Sequence, residues 1–367
     1  MHAPSVFDAF RATKPGCKVL PDGAFNCEPE LARLDAPLTP LDAFFVRNNG
    51  DVPVDADPKD WTLDVDGVVD EPARFTLDDL RTRFEAVSVT AVLECAGNNR
   101  RAFDPPTDGL PWGRGAVGCA RWTGVRLADV LRCCGLRREA LYIGHHPPDR
   151  AVDGRGPALS RGLPLAKALA PDTLVAFSMN DAPLGRLHGA PLRIVAPGFP
   201  GSAWQKWLSR IEVRDRLHDG VKMNGTDYRL PRRGYEPGEP LDPADFDVIE
   251  SMPVNAMITT PVDAVHVRAG DRVVVAGYAW SGRAPVTGVE ILLDGSTPLV
   301  AEMESAAERW GWRRFRAEIV VPDGDRVAVT ARASDATGER QPLGTAPWNP
   351  RGYCNNTAHE ITLSIAR

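Results

Sequence analysis

A cysteine stands at the end of an alternating apolar run. Val87, Val89, Ala91 and Leu93 repeat with period two and lead into Glu94-Cys95-Ala96-Gly97-Asn98-Asn99-Arg100-Arg101. Period two marks a half-buried strand, so this strand would deliver a sulfur beside a glycine, two amides and two fixed cations. A thiolate is a soft ligand and a guanidinium a permanent charge. Together they suit a site that ligates something and neutralises an anion. The competing reading is a core cysteine, since free cysteines are mostly buried filler. Other candidates are far off in the chain. Phe44-Phe45-Val46-Arg47-Asn48-Asn49-Gly50 leads two aromatics into an arginine and an Asn-Gly turn signal. Trp112 lies in a loop of glycines and prolines, with few sequence neighbours to pack on. Asn349-Pro350-Arg351-Gly352 reads as a tight turn, either solvent-facing or projecting Arg351 toward the first domain. His145 and His146 are adjacent and cannot face one way, which makes them a poor metal pair.

These residues need elements to hold them. Residues 1–40 have little periodicity and read as an extended arm. Over 41–245, short strands and helices mix without the regular rhythm of a doubly wound fold. Thr76 is a credible N-cap for a helix through Leu77, Leu80 and Phe84, with Asp79 at its third position. Leu127 through Cys134 reads as a helix that Gly135 ends, its two cysteines facing partly into the core. Leu163–Leu169 suggests another helix and Leu174–Phe177 a strand, and Trp204–Leu208 could open either kind of element. From Asp219 to Asp245 the polar, Pro and Gly content rises, as in a surface connector. After Ser251 the texture turns to β. The runs 255–259, 272–280, 288–293, 313–320, 326–333 and 359–365 are separated by turn signals such as Asp294-Gly295. Such strands predict a β-sandwich over 246–367, plausibly immunoglobulin-like, with Tyr278 and Trp280 helping to fill its core.

Composition narrows the class. The 367 residues suffice for two cores. A formal charge of -6 with 43% hydrophobic residues argues against nucleic acid or an acidic membrane surface as partner. It leaves room for a local basic pocket, and Arg100, Arg101, Arg114, Arg121 and Arg126 crowd into one stretch. Seven cysteines without a CxxC pair argue against a disulfide framework or structural zinc. No run reaches the 18 or more apolar residues of a membrane span, and Met1 to Lys18 lacks the pattern of a signal peptide. The expected compartment is the cytoplasm, with the periplasm as the alternative should a leader precede this sequence.

Taken together, the motifs resemble the sulfite oxidase family, whose members use molybdenum bound to a pyranopterin. Phe44–Asn48, Glu94–Asn98, Ala120–Val125, Met179-Asn180, His188-Gly189, Gly277–Gly282 and Ala346–Gly352 fall in that family's order. The resemblance runs from about residue 40 to the C-terminus. It implies an α+β fold, with a mixed α/β cofactor domain followed by an immunoglobulin-like domain that mediates homodimerisation. The cytochrome b5-like haem domain of animal members is missing, so no haem is expected and electrons would leave to an external acceptor such as cytochrome c.

Carried over residue by residue, Cys95 corresponds to the thiolate that ligates molybdenum. Arg47, Arg100, Trp112, Tyr228 and Arg351 resemble the substrate-pocket residues, a set suited to a small oxyanion. Asn48, His188, Arg193 and Lys206 resemble residues that bind the phosphate and pterin. Asp153 or Asp149 would reach the pterin amino groups, with Asp153 preferred, while Trp204 and Gln205 rank lower. The implied activity is oxidation of sulfite to sulfate by oxygen-atom transfer. Alternatives are another oxyanion, a sulfoxide, nitrate reduction, or a non-catalytic cofactor-binding subunit. Two departures bear on substrate preference. Asn49 stands where the family often has His, and Asn cannot carry a proton near neutral pH. Asn99 replaces one arginine of the family's Asn-Arg-Arg, although Arg100 keeps its spacing of five from Cys95. The arginines next to Cys95 thus divide, with Arg101 left unassigned.

Overall fold

The computed structural model describes residues 6–53, 57–263, 265–304 and 308–366. The alternating run becomes the strand Ala86–Glu94, whose last four residues are all buried. It pairs antiparallel along its whole length with Val117–Arg126, from Ala86↔Val125 to Glu94↔Val117. Leu174–Met179 extends the sheet and carries both Ala182–Pro183 and Arg193–Val195. A second five-stranded sheet runs in the order Ala73–Thr76, Thr62–Gly67, Arg210–Arg214, Tyr142–His146, Gly162–Pro164. Its Thr62–Gly67 and Arg210–Arg214 are parallel. The first domain is therefore mixed α/β.

Helices here are short and end where local chemistry predicts. Thr76 and Asp79 close a capping box around Leu77–Arg83: Asp79 N donates to Thr76 Oγ1 at 3.1 Å and Thr76 N to Asp79 Oδ2 at 2.9 Å. Leu127–Cys133 stops at Gly135, which takes the left-handed φ of +69° that a side chain disfavours. Of the two cysteines at that end, Cys134 is buried and Cys133 exposed. Leu165–Ala168 is one turn only.

Three expectations change. The first 40 residues hold a helix, Val6–Ala12, and an antiparallel pair, Cys17–Leu20 with Asn26–Pro29. The Pro21-Asp22-Gly23 turn permits the reversal, with Gly23 at φ +70°. Trp204–Leu208 forms neither helix nor strand, because its carbonyls serve other partners. Ile194 N donates to Gln205 O at 2.8 Å and Arg193 Nη2 to Trp204 O at 3.1 Å. Tyr278 and Trp280 do not fill the core of the second domain. With Met257 and Trp312 they pack on Val92, Val117 and Cys119 of the first, so they seal the two domains together.

The second domain is rich in β-sheet. One sheet orders Asn255–Thr260, Arg272–Trp280, Arg313–Val320 and Glu302–Met303; the other orders His266–Arg268, His359–Ala366, Arg326–Asp335, Val286–Leu293 and Leu299–Val300. Ile258, Val275 and Phe315 from one sheet meet Val289, Val329 and Leu363 from the other in one core. Among the described residues, no helix is long and apolar enough to cross a membrane.

Candidate active site

Cys95 sits where the strand Ala86–Glu94 ends, held by its N–H to Ala116 O at 2.9 Å. The chain then turns tightly, with Asn98 N on Cys95 O at 2.9 Å and Arg100 N on Gly97 O at 3.0 Å. Asn99 takes a left-handed φ of 61°, which asparagine tolerates better than most residues. The turn folds the Arg100 guanidinium back over Gly97, where a Cβ would lie 2.5 Å from Nη2. Arg100 is 8% exposed. Its Nε donates to Arg351 O and its Nη1 to Leu110 O, both at 2.9 Å. Arg101 points away and is exposed.

Two cavities meet at this cysteine. The deeper one, about 670 Å³ counting space open to solvent, is lined by Asn48, Asp149, His188, Arg193, Ser202, Gln205 and Lys206, among others. The wider mouth, about 1080 Å³ on the same basis, is lined by Arg100, Trp112, Asp153, Lys222, Arg351 and others. Arg47, Asn49, Cys95 and Tyr228 line both. Burial pushes the Cys95 thiol up, against the pull of Arg100 and Arg47.

The deep cavity has apolar walls that carry underpaired polar groups. Asp149 Oδ1, Ser202 Oγ and Gln205 Oε1 are buried and have no hydrogen-bond partner within the described protein. Buried polar groups are nearly always bonded, so three such atoms around one cavity call for a polar guest. Around them are cations whose burial is costly. Burial foremost, then Arg193, lowers Lys206 well below the usual range; its Nζ donates to Asn48 Oδ1 and, at 3.0 Å, to Leu187 O. His188 is lowered well below its ordinary value by burial, Lys14 and Lys206. Its Nε2 lies 2.8 Å from Lys14 Nζ; an ammonium can only donate, so the neutral ring carries its proton on Nδ1. Arg193 lies over the Trp122 ring at 4.7 Å, with its guanidinium on the carbonyls of His188, Ile194 and Trp204. Burial pushes it down to about 9, still charged at neutral pH.

The two aspartates weighed for the cofactor separate. Asp149 is 4% exposed in the deep cavity, and burial raises it to about 6 against the pull of Lys206. Asp153 is exposed, accepts from Arg155 N at 3.0 Å and lines only the mouth. Of the two, Asp149 therefore lies in the deep cavity and Asp153 at the mouth alone. The loop between them turns outward, which spacing alone did not reveal.

In the mouth, charges arrive from both domains. Arg351 Nε donates to Thr226 Oγ1 at 3.0 Å, and Nη2 pairs with Asp227 Oδ1 at 3.2 Å. The Asn-Pro-Arg-Gly turn thus projects its arginine onto the first domain. Arg47 Nη1 lies 3.5 Å from Asp22 Oδ2. Tyr228, at a left-handed φ of 51°, stacks on Tyr353 at 5.5 Å and lies under Arg161 at 5.1 Å. Trp112 is fully buried and its Nε1 is unpartnered. Of the arginines crowded between 100 and 126, only Arg100 lines the mouth. Arg114 bonds Thr357 O and Ala358 O, and Arg121 and Arg126 pair with Asp181 and Glu85. Sequence reasoning missed Lys14 and Lys222, which carry no motif.

One other cluster could suggest a metal. His146, Glu212 and His218 bring ligand atoms within 4.8 Å of one another, outside both cavities. Both ring nitrogens of His218 are already engaged, Nδ1 by Arg214 Nη1 at 2.9 Å and Nε2 by Ser160 Oγ at 2.8 Å. His145 faces elsewhere, wholly buried.

A buried cysteine thus joins a cavity that holds unpartnered polar atoms and buried basic side chains to an arginine-lined mouth. Residues 49–222 match the model of the oxidoreductase molybdopterin binding domain, and residues 246–366 that of the Mo-co oxidoreductase dimerisation domain. The chain is 35% identical over 364 residues to a mitochondrial sulfite oxidase of Drosophila melanogaster, covering 93% of this chain and 62% of that protein. It is 30% identical to a sulfite oxidase of Arabidopsis thaliana, covering 100% of this chain and 98% of that one. The sulfane dehydrogenase SoxCD of Paracoccus pantotrophus superposes with a TM-score of 0.79 over 100% of this chain and 93% of that one; at 24% identity it speaks for the fold alone. The chain belongs to the sulfite-oxidase-type family of molybdopterin-dependent oxidoreductases. It spans less than two thirds of the Drosophila relative's length.

Proposed function

We propose that this protein oxidises sulfite to sulfate with a molybdenum pyranopterin and passes the electrons to an external acceptor such as a cytochrome c. The observation that carries this reading is the junction at Cys95, where the underpaired cavity and the arginine mouth meet. The residues fit the group. Asp149, Ser202 and Gln205 offer the unpartnered atoms a pterin would bond, and Lys206 and Arg193, with the uncharged His188 and Asn48 beside them, would receive its phosphate. Cys95 supplies the soft ligand that molybdenum takes. When bound, molybdenum supplies two-electron oxygen-atom transfer.

The remaining work belongs to the chain. Arg47, Arg100 and Arg351 present forks that match an oxyanion's geometry and hold it in one orientation. They are fixed before substrate arrives, by carbonyls and by Thr226, so little reorganisation accompanies charge stabilisation. The buried Trp112 closes the wall beside Arg100 against water. Tyr228 presents its hydroxyl where both cavities open, placed to hydrogen-bond the substrate. The reading extends to a homodimer formed through an immunoglobulin-like second domain, in support of which stands the match to a dimerisation domain.

The test is elemental analysis of the purified protein followed by sulfite-dependent reduction of an artificial acceptor. Molybdenum near one per chain with turnover is the expected result. A molybdenum-loaded protein that leaves the acceptor oxidised overturns the proposal.

A further inference from the structure

The carbonyl of Asn49 is crowded with donors. Lys222 Nζ lies 2.6 Å from its Oδ1, Arg47 Nη2 3.0 Å and the Tyr228 hydroxyl 3.3 Å. An amide oxygen has two lone pairs, so three donors, two of them charged, exceed what it can serve well. All four residues line the mouth. Lys222 and Tyr228 both hold left-handed backbones, at φ 64° and 51°. For non-glycine residues this costs free energy and persists only where the surroundings impose it. Arg161 contacts both, donating through Nη1 to Lys222 O while its guanidinium lies 5.1 Å over the Tyr228 ring.

The cations of the mouth also differ in how they are neutralised. Arg47 has Asp22, and Arg351 has Asp227. Among the described residues, no carboxylate lies within 4 Å of the Lys222 ammonium or the Arg100 guanidinium; their partners are the Asn49 amide and the carbonyls of Leu110 and Arg351. Two positive charges without an ion-pair partner therefore face one space, which Asp108 and Asp153 also line, with Asp149 acting on Lys222 from the deeper cavity.

We infer that Lys222 is a substrate-binding cation of this mouth, parked on Asn49 until an anion arrives, and that with Arg100 it selects dianionic over monoanionic oxyanions. The Asn49 carbonyl stands in for a substrate oxygen: it holds the Lys222, Arg47 and Tyr228 donors converged while bringing no charge of its own. A doubly charged sulfur oxyanion replaces it and meets both cations with its full charge. A monoanion such as nitrate meets the same two cations with half that charge and gains about half as much. The inference deepens the reading of this site as an oxyanion mouth and rests on it.

The test measures binding without turnover, by calorimetric titration of molybdenum-loaded protein with sulfate and with nitrate. Lys222→Met is expected to weaken sulfate at least tenfold and nitrate less than threefold. Lys222→Gln, which keeps a donor for Asn49 and so guards against misfolding, is expected to behave likewise, and Lys222→Arg to restore most of the sulfate affinity. Sulfate affinity within twofold of the parent in both Met and Gln variants, equal losses for the two anions, or no sulfate binding by the parent overturns it. Lys222-dependent sulfate binding in a protein that fails to oxidise sulfite would sink the functional proposal and leave this one standing.

Discussion

Glu94 Oε2 accepts from Trp280 Nε1 at 2.8 Å, across the boundary between the two domains. The same carboxylate takes Asn98 Nδ2 at 3.0 Å and Asn255 Nδ2 at 3.2 Å on its other oxygen. Glu94 is the residue before Cys95, so one buried side chain ties the strand end, the turn after it and the second domain together. Burial raises its pKa, against the pull of Trp280, Asn98 and Asn255. The Cys95 turn is thus fixed from outside its own domain.

Removing the indole donor should therefore be felt well beyond one contact. Trp280→Phe leaves a buried carboxylate oxygen short of its donor, at a cost of about 1.5–3 kcal/mol for a bond to a charged group. Denaturant unfolding of the full chain measures it. A loss below about 0.5 kcal/mol would show that water takes the indole's place.

Gly97→Ala should disable the arginine and not the fold. The added Cβ would sit 2.5 Å from Arg100 Nη2 and 2.6 Å from Cζ, so the guanidinium must leave the Leu110 and Arg351 carbonyls. Loss of a charge-assisted contact to the anion weakens binding about tenfold or more. The KM for sulfite, or the affinity for sulfate, reads this directly. A variant within twofold of the parent would place Arg100 outside anion binding.

Lys14 holds the tautomer of His188 from a segment that precedes the matched cofactor domain. Burial lowers Lys14 to about 8, so it is still mostly charged at pH 7 and donates. Lys14→Met should free the ring and weaken cofactor retention roughly tenfold, the order seen when a partner that orients a ligating side chain is lost. Molybdenum and pterin per chain after extended dialysis give the readout. Full retention would show that His188 needs no such support.

Stability should fall on mild acidification. His359 accepts from Ile258 N at 2.8 Å through Nδ1, and burial with nearby Arg114 lowers it from 6.5 to about 3. His218 is lowered to about 4, chiefly by burial and by His146. In both cases the unfolded chain takes up the proton first. Stability is therefore intact above about pH 6.5 and declines as pH falls toward the folded values. The slope is at most about 1.4 kcal/mol per pH unit for each group. Urea unfolding between pH 7 and 5 measures the slope, and His359→Gln, which keeps an acceptor for Ile258, should flatten it. Identical slopes in parent and variant would remove His359 from the account.

Much of the frame was readable from local patterns. The alternation up to Leu93, the Thr76–Asp79 cap, the Gly135 stop and the long strands after Ser251 all act over a few residues, where periodicity and turn chemistry speak directly. The order of motifs around Cys95 pointed to the family for the same reason. Pairings across hundreds of positions were not readable. Nothing near Lys14 or Lys222 in the chain announces His188 or Asn49, and which cavity Asp149 and Asp153 each line depends on which way one loop turns.

What the sequence by itself determined is that a strand leads into Cys95 with Arg100 five residues on, and that β-rich strands follow residue 250. The tertiary structure alone decided that Arg100 bonds the Arg351 backbone from the other domain, that Tyr278 and Trp280 seal the boundary, and that Lys222 leans on Asn49. Hydrogen bonds and burial are set by distance in space, and a single chain records only distance along itself.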